Sequence, residues 1–227
     1  MKKIKFIFFT FVISLVSFFA IVYSSCTPDR CAGVSCQNGG YCNGGNCICP
    51  LGYVGSRCQN LAITTIEYQN NTYTPITITI NGSATTIQPT YSVQYTGYYG
   101  DNISGNAITY GQTSSGTQIG LALSWTISNT FPTDGTLVVP LNINNNYFFL
   151  KLQNNSAETT NSVIVNVGLT AQTTDNIAIP NNGAVYGTGY YYAYTNTEVQ
   201  AVTNTYTYSW YPTFNFTNNQ SIILTFP

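Results

Sequence analysis

From residue 60 onward the chain alternates apolar and polar positions with a period of two. Ile76, Ile78 and Ile80 interleave with Thr77 and Thr79. The same rule generates Leu121/Leu123/Trp125/Ile127, Leu137/Val139/Leu141/Ile143, Phe148/Leu150/Leu152, Val163/Val165/Val167/Leu169 and Ile222/Leu224/Phe226. Successive side chains of a strand point to opposite faces, so each set marks one buried face of a half-exposed strand. No segment sustains the 3.6-residue period of a helix. Asn81-Gly82 closes the first set, and this dipeptide accepts the positive φ values of a two-residue hairpin turn. Such a turn pairs Ile80 with Ser83 and Ile76 with Ile87. Turn clusters such as Asn144-Asn145-Asn146 and Pro180-Asn181-Asn182-Gly183 separate the other runs. About ten short strands broken by turns predict an all-β fold, an antiparallel β-sandwich over residues 60–227.

The front of the chain has a different texture. Lys2, Lys3 and Lys5 precede an uncharged stretch, Phe6–Val22, which is the layout of a secretory signal over residues 1–25. All seven cysteines then fall between residues 26 and 58. An odd number in an exported chain assigns one of them a separate role. Tyr23-Ser24-Ser25-Cys26 resembles a bacterial lipobox, with small residues at 24 and 25 and Tyr23 where Leu is usual. The resemblance implies a lipid on Cys26, a short tether over 26–30, and membrane attachment through two or more acyl chains, since one chain binds only marginally. Thr27 follows the cysteine, so the Asp that retains many lipoproteins at the inner membrane is absent, and the resemblance favours the outer membrane and cell surface.

The remaining cysteines, Cys31, Cys36, Cys42, Cys47, Cys49 and Cys58, admit 15 pairings on spacing alone. Gln37-Asn38-Gly39-Gly40 precedes the third, and Cys49-Pro50-Leu51-Gly52-Tyr53-Val54-Gly55-Ser56-Arg57-Cys58 closes the run. With that spacing and ending, residues 31–59 resemble a short, tenascin-type EGF-like module. The resemblance implies the pairs Cys31–Cys42, Cys36–Cys47 and Cys49–Cys58. It also implies a stiff spacer, and no calcium, because Thr27-Pro28-Asp29-Arg30 lacks the Glu of the calcium-binding form. So short a unit cannot bury enough apolar surface to fold without cross-links. Paired Cys-x-x-Cys knuckles and histidines are both missing from the sequence, which disfavours zinc.

Charge narrows the partners. After Cys26 the only bases are Arg30, Arg57 and Lys151, against seven acids, a net charge of −4. Such a surface cannot neutralise a phosphate backbone, which excludes nucleic acid as a partner. Charged residues are 6% of the chain, so Asn, Thr, Ser, Gln and Tyr supply most of the wet surface.

Catalytic chemistry finds little to use. Without histidine, serine–histidine and cysteine–histidine sites are ruled out. Glu67, Glu158 and Glu198 are dispersed rather than paired as glycoside hydrolysis requires. Asp101-Asn102, Asp134-Gly135 and Asp175-Asn176 read as turns, and none forms a calcium loop. No cofactor is expected and no enzyme. Sixteen of the 19 tyrosines lie beyond residue 60. They concentrate at Tyr186-Gly187-Thr188-Gly189-Tyr190-Tyr191-Tyr192-Ala193-Tyr194. Tyr206, Tyr208 and Trp210 alternate along one strand and are the candidate contact platform for a protein or sugar. The expectation is a lipid-anchored surface protein with an adhesive or structural role; the alternative is glycan capture by the sandwich.

Overall fold

The computed structural model describes residues 29–112, 116–167, 171–193, 196–214 and 220–227. The signal stretch and Cys26 lie outside these residues. The chain divides into two compact units, Met1–Ala62 and Ile63–Pro227. Every regular element among the described residues is a strand.

The first unit is held by three disulfides, Cys31–Cys42, Cys36–Cys47 and Cys49–Cys58. This is the pairing that the resemblance to an EGF-like module implied. Two small antiparallel pairs accompany the bridges: β1 (Tyr41–Asn43) with β2 (Asn46–Ile48), which holds Cys42 and Cys47, and β3 (Tyr53–Val54) with β4 (Asn60–Leu61), which flank Cys58. Buried side chains are few, chiefly Cys58 and Ala62. The cross-links therefore replace a core, each contributing on the order of 2–4 kcal/mol. Gly40 is required where it stands, because a Cβ there would lie 2.8 Å from the Cys58 sulfur.

The second unit builds its sandwich twice. Its first half contains β5 (Ile63–Asn70), β6 (Ile76–Ile80), β7 (Ser83–Ile87), β8 (Ser92–Tyr98), β9 (Asn102–Gln112), β10 (Gln118–Thr130) and β11 (Thr136–Leu141). Its second half contains β12 (Tyr147–Asn154), β13 (Ser162–Val167), β14 (Ala171–Asp175), β15 (Val185–Tyr192), β16 (Thr197–Val202), β17 (Thr207–Trp210) and β18 (Ser221–Phe226). In the first half the strands order as β11-β5-β8 and β10-β9-β6-β7. In the second they order as β18-β12-β15 and β17-β16-β13-β14, the same connections strand for strand. Most pairs are antiparallel, but β11 runs parallel to β5 and β18 parallel to β12. Up–down alternation explains this: the first and seventh strands of a half share a direction and lie side by side.

Each half has its own core between its two sheets. Ile66, Tyr68, Ile76, Ile78, Ile87, Ala107 and Ile127 fill the first. Phe148, Leu150, Leu152, Val163, Val165, Val199 and Phe226 fill the second. The Asn81-Gly82 turn has φ of 50° and 79°, and the register is Ile80 with Ser83 and Ile76 with Ile87. The all-β sandwich expected over residues 60–227 is present, built as two halves that each enclose a core.

One buried device recurs in both halves. The fully buried Asn70 side chain donates to the carbonyls of Thr74 (2.9 Å) and Ile87 (2.8 Å), and accepts from the Thr72 amide (2.8 Å) and hydroxyl (2.7 Å). Asn154 donates to the carbonyls of Glu158 and Ile179, both at 2.8 Å, and accepts from the Ser156 amide (2.9 Å) and hydroxyl (2.7 Å). Gln69-Asn70-Asn71-Thr72 and Gln153-Asn154-Asn155-Ser156 are 84 positions apart and do the same job. Each closes the loop that carries the chain from one sheet to the other while satisfying groups that water cannot reach.

The halves differ in one hairpin. β9 and β10 have 11 and 13 residues, whereas β16 and β17 have 6 and 4. The extended β9–β10 hairpin reaches the second half, where Gly120 and Leu121 pair with Tyr190 of β15 in a parallel arrangement. A continuous seven-stranded sheet, β18-β12-β15-β10-β9-β6-β7, results.

Candidate functional site: the groove at the joint

Three glycines set how closely the halves meet. A Cβ on Gly189 would lie 2.6 Å from the Ile119 carbonyl oxygen, and one on Gly120 2.7 Å from that of Tyr190. On Gly111 it would strike the Thr188 carbonyl and lie 2.7 Å from the Gly189 Cα. Backbone meets backbone here, so only glycine fits.

Around this contact the outer face of β12 is covered by the first half. Phe149 points away from its own core yet is only 4% exposed, because it joins Leu123, Ile143 and Tyr190 in a separate apolar cluster. The Asn70 device holds Thr72, and the next residue, Tyr73, stacks on Phe149 at 5.1 Å between centroids. The Tyr190 hydroxyl lies 2.6 Å from the Thr74 hydroxyl and accepts from the Tyr73 amide at 3.2 Å. Thr74 in turn lies 2.6 Å from Thr109, which donates to the Pro75 carbonyl at 2.8 Å. On the other side Asp175 accepts from the Gly120 amide (3.2 Å) and from the Tyr191 hydroxyl (2.7 Å). Burial, followed by the Asp175 charge, pushes the Tyr191 phenol well above its ordinary range.

Beside this interlock opens a groove of about 480 Å³, within the usual size of small-molecule sites. Tyr73, Gln112, Phe149, Lys151, Val185 and Thr188 are among its lining residues. A second hollow of about 400 Å³ shares Thr74 and Gln112 with it and continues along β6, β7 and β9 past Thr77, Thr86 and Tyr110. The Lys151 ammonium stands 4.4 Å from the centre of the Tyr73 ring. Lys151 is the only Lys or Arg after Arg57, so the one cation of the second unit faces this groove.

The platform read from the sequence has another place. Tyr206 is 60% exposed, but Tyr208 and Trp210 are half-buried and pack against the second core. Their rings lie 5.2 and 5.7 Å from that of the fully buried Phe226. Tyr208 and Trp210 thus close the open side of the second sandwich at its edge strand. The structure brings the three rings into one row, at 6.2 and 6.4 Å spacing, but turns two of them inward.

The three glutamates of the second unit stay apart, each bound by neutral donors. Glu67 accepts from Gln69 (2.9 Å) and Gln94 (2.8 Å). Glu158 accepts from the Thr205 hydroxyl (2.6 Å) and amide (3.1 Å). Glu198 accepts from Gln200 (2.9 Å), Asn166 (3.1 Å) and the Tyr211 hydroxyl (3.0 Å). These hydrogen bonds hold all three carboxyls below the ordinary range, those from Gln69, Thr205 and Gln200 being the strongest influences. Among the described residues no group of three or more His, Cys, Asp and Glu is placed to hold a metal ion.

No family model, curated protein or solved structure matches the chain. The reading of its function therefore rests on the sequence and the geometry.

The groove leaves little trace in the sequence. Lys151 was visible as an isolated base, but nothing local said that Tyr73, 78 positions earlier, would lie beside it. The one local signal was the cluster of glycines at 111, 120, 187 and 189, a density that marks close backbone approach.

Proposed function

We propose that this chain is an exported, lipid-anchored, non-catalytic surface protein. In this reading Cys26 carries the lipid, the EGF-like module is a stiff spacer, and the double sandwich is the adhesive or interacting end. The observation that carries it is the placement of the glutamates. Glycoside hydrolysis needs two carboxyls facing one cleft, whereas Glu67, Glu158 and Glu198 lie on separate elements, each hydrogen-bonded to neutral amides or hydroxyls. Three disulfides support residence in an oxidising compartment. Cys26→Ser is the direct test of the anchor: the protein moves from the detergent phase to the aqueous phase in Triton X-114 partitioning. Unchanged partitioning would refute the lipid anchor. The soluble Cys26→Ser chain should also bind cells or matrix proteins on a coated surface; absence of binding to all of them would remove the adhesive role.

Glycan capture is the second reading, and the groove is the observation that favours it. An apolar wall, an amide and a cation beside one another suit a polyhydroxylated ring with an apolar face.

A further inference from the structure

Resting on the glycan-capture reading, we infer that the joint groove selects saccharides bearing a free carboxylate, with Lys151 as their counter-charge. The second unit has one base against six acids, a net charge of −5. Any anion approaching it is repelled except where that base is presented. Lys151 is half-exposed on the outer face of β12, and the groove is where it is presented. One ammonium offsets one negative charge, so nucleotides and polyphosphates, which gather several cations, are disfavoured. A sugar ring with a single carboxylate matches this supply.

The neighbouring groups fit such a ring. Val185, 48% exposed, and the Tyr73 ring stand on the wall of the groove. They offer apolar surface to the carbon–hydrogen face of a sugar. The Gln112 amide, exposed at the end of β9, can donate to or accept from hydroxyls. The Tyr73 ring, fixed by stacking on Phe149, faces the Lys151 ammonium, so the cation is positioned before a ligand arrives. The neighbouring hollow along Thr77, Thr86 and Tyr110 adds length, which suits an oligosaccharide.

The test is a glycan array of uronic- and sialic-acid oligosaccharides beside their methyl-esterified and neutral counterparts. It is probed with the soluble Cys26→Ser chain and with Lys151→Gln, Lys151→Arg and Tyr206→Ala in that background. Thermal melts confirm folding of each. The expected result is binding to free-carboxylate glycans about tenfold tighter than to their esters. Lys151→Gln removes the preference, Lys151→Arg keeps most of it, and 0.5 M salt weakens acid binding alone. Equal binding of acids and esters, unaffected by Lys151→Gln, overturns this inference and leaves glycan capture standing. Acid binding that survives Lys151→Gln but fails in Tyr206→Ala moves the site to the outer strand and overturns the groove assignment. Silence across the whole array overturns glycan capture as well.

Discussion

Gly189→Ala isolates the joint between the two sandwiches. The added methyl carbon would lie 2.6 Å from the Ile119 carbonyl oxygen and 3.0 Å from its carbon, both backbone atoms of a paired strand. Two opposing effects can be weighed. Alanine restricts the unfolded chain and would stabilise by about 0.4–1 kcal/mol if the native backbone accepted it. Forcing a methyl into a closed contact costs about 1–3 kcal/mol, and more where backbone rather than a side-chain tip must move. The clash wins, with a net loss of about 2 kcal/mol, which for a unit of this size lowers Tm by roughly 4–8 °C. Relief comes by parting β15 from β10, so the continuous sheet opens and the two cores melt separately. Differential scanning calorimetry should show one transition for the parent and a broadened or doubled one for Gly189→Ala. Gly105→Ala is the control, since its methyl would strike the Thr79 carbonyl inside the first half and so destabilises without parting β15 from β10. A Gly189→Ala protein that melts in one transition at the parent Tm, or above it, refutes the reasoning that backbone contact at Gly189 couples the halves.

Asn154→Ala leaves the Ile179 and Glu158 carbonyls and the Ser156 amide without their partner, and should cost about 3–5 kcal/mol, read as a shift in urea midpoint with unchanged slope. Trp210→Ala should lose about 2 kcal/mol through its contact with Phe226 and the second core, whereas the exposed Tyr206→Ala should stay within about 0.5 kcal/mol; similar losses would contradict their assignments as core lid and free ring. The carboxyls of Glu67, Glu158 and Glu198 titrate lower in the fold than when unfolded. Their contribution is therefore present above the ordinary glutamate range and disappears as pH falls through the folded values. Urea midpoints should fall between pH 6 and pH 3, and a Glu67→Gln, Glu158→Gln, Glu198→Gln triple variant should fall less; an equal fall in the variant would assign the pH dependence elsewhere.

Much of the fold could be read locally. Period-two alternation marked which faces are buried: Phe148, Leu150 and Leu152 are fully enclosed, and Ile76, Ile78 and Ile80 lie in the first core. Asn81-Gly82 dictated its own register, because a two-residue turn leaves one way to pair the flanking strands. The duplication was also present, as Gln-Asn-Asn-Thr at 69–72 and Gln-Asn-Asn-Ser at 153–156, and as Thr-Gly-Tyr-Tyr at 96–99 and 188–191. It is faint because only the buried asparagine device and the strand spacing require it, and the strands between are free to vary.

The candidate site was not legible. Alternation assigns Tyr208 and Trp210 to one face but is silent on whether that face is inside or outside; their contact with Phe226 decides it. Likewise Phe149 alternates as an outward residue, and it is buried because Tyr73 and Tyr190 cover it.

By itself, then, the sequence determined an all-β chain, a disulfide-stapled front and a surface short of charge, since these follow from residue type and spacing along one strand or loop. Only the tertiary structure decided that the strands close into two sandwiches and that their glycines interlock. It alone placed the single cation of the second unit, Lys151, beside a groove built by both halves. Those outcomes depend on contacts between segments some 80 positions apart, where pairing is set by which surfaces exclude water together and by where backbone can approach backbone.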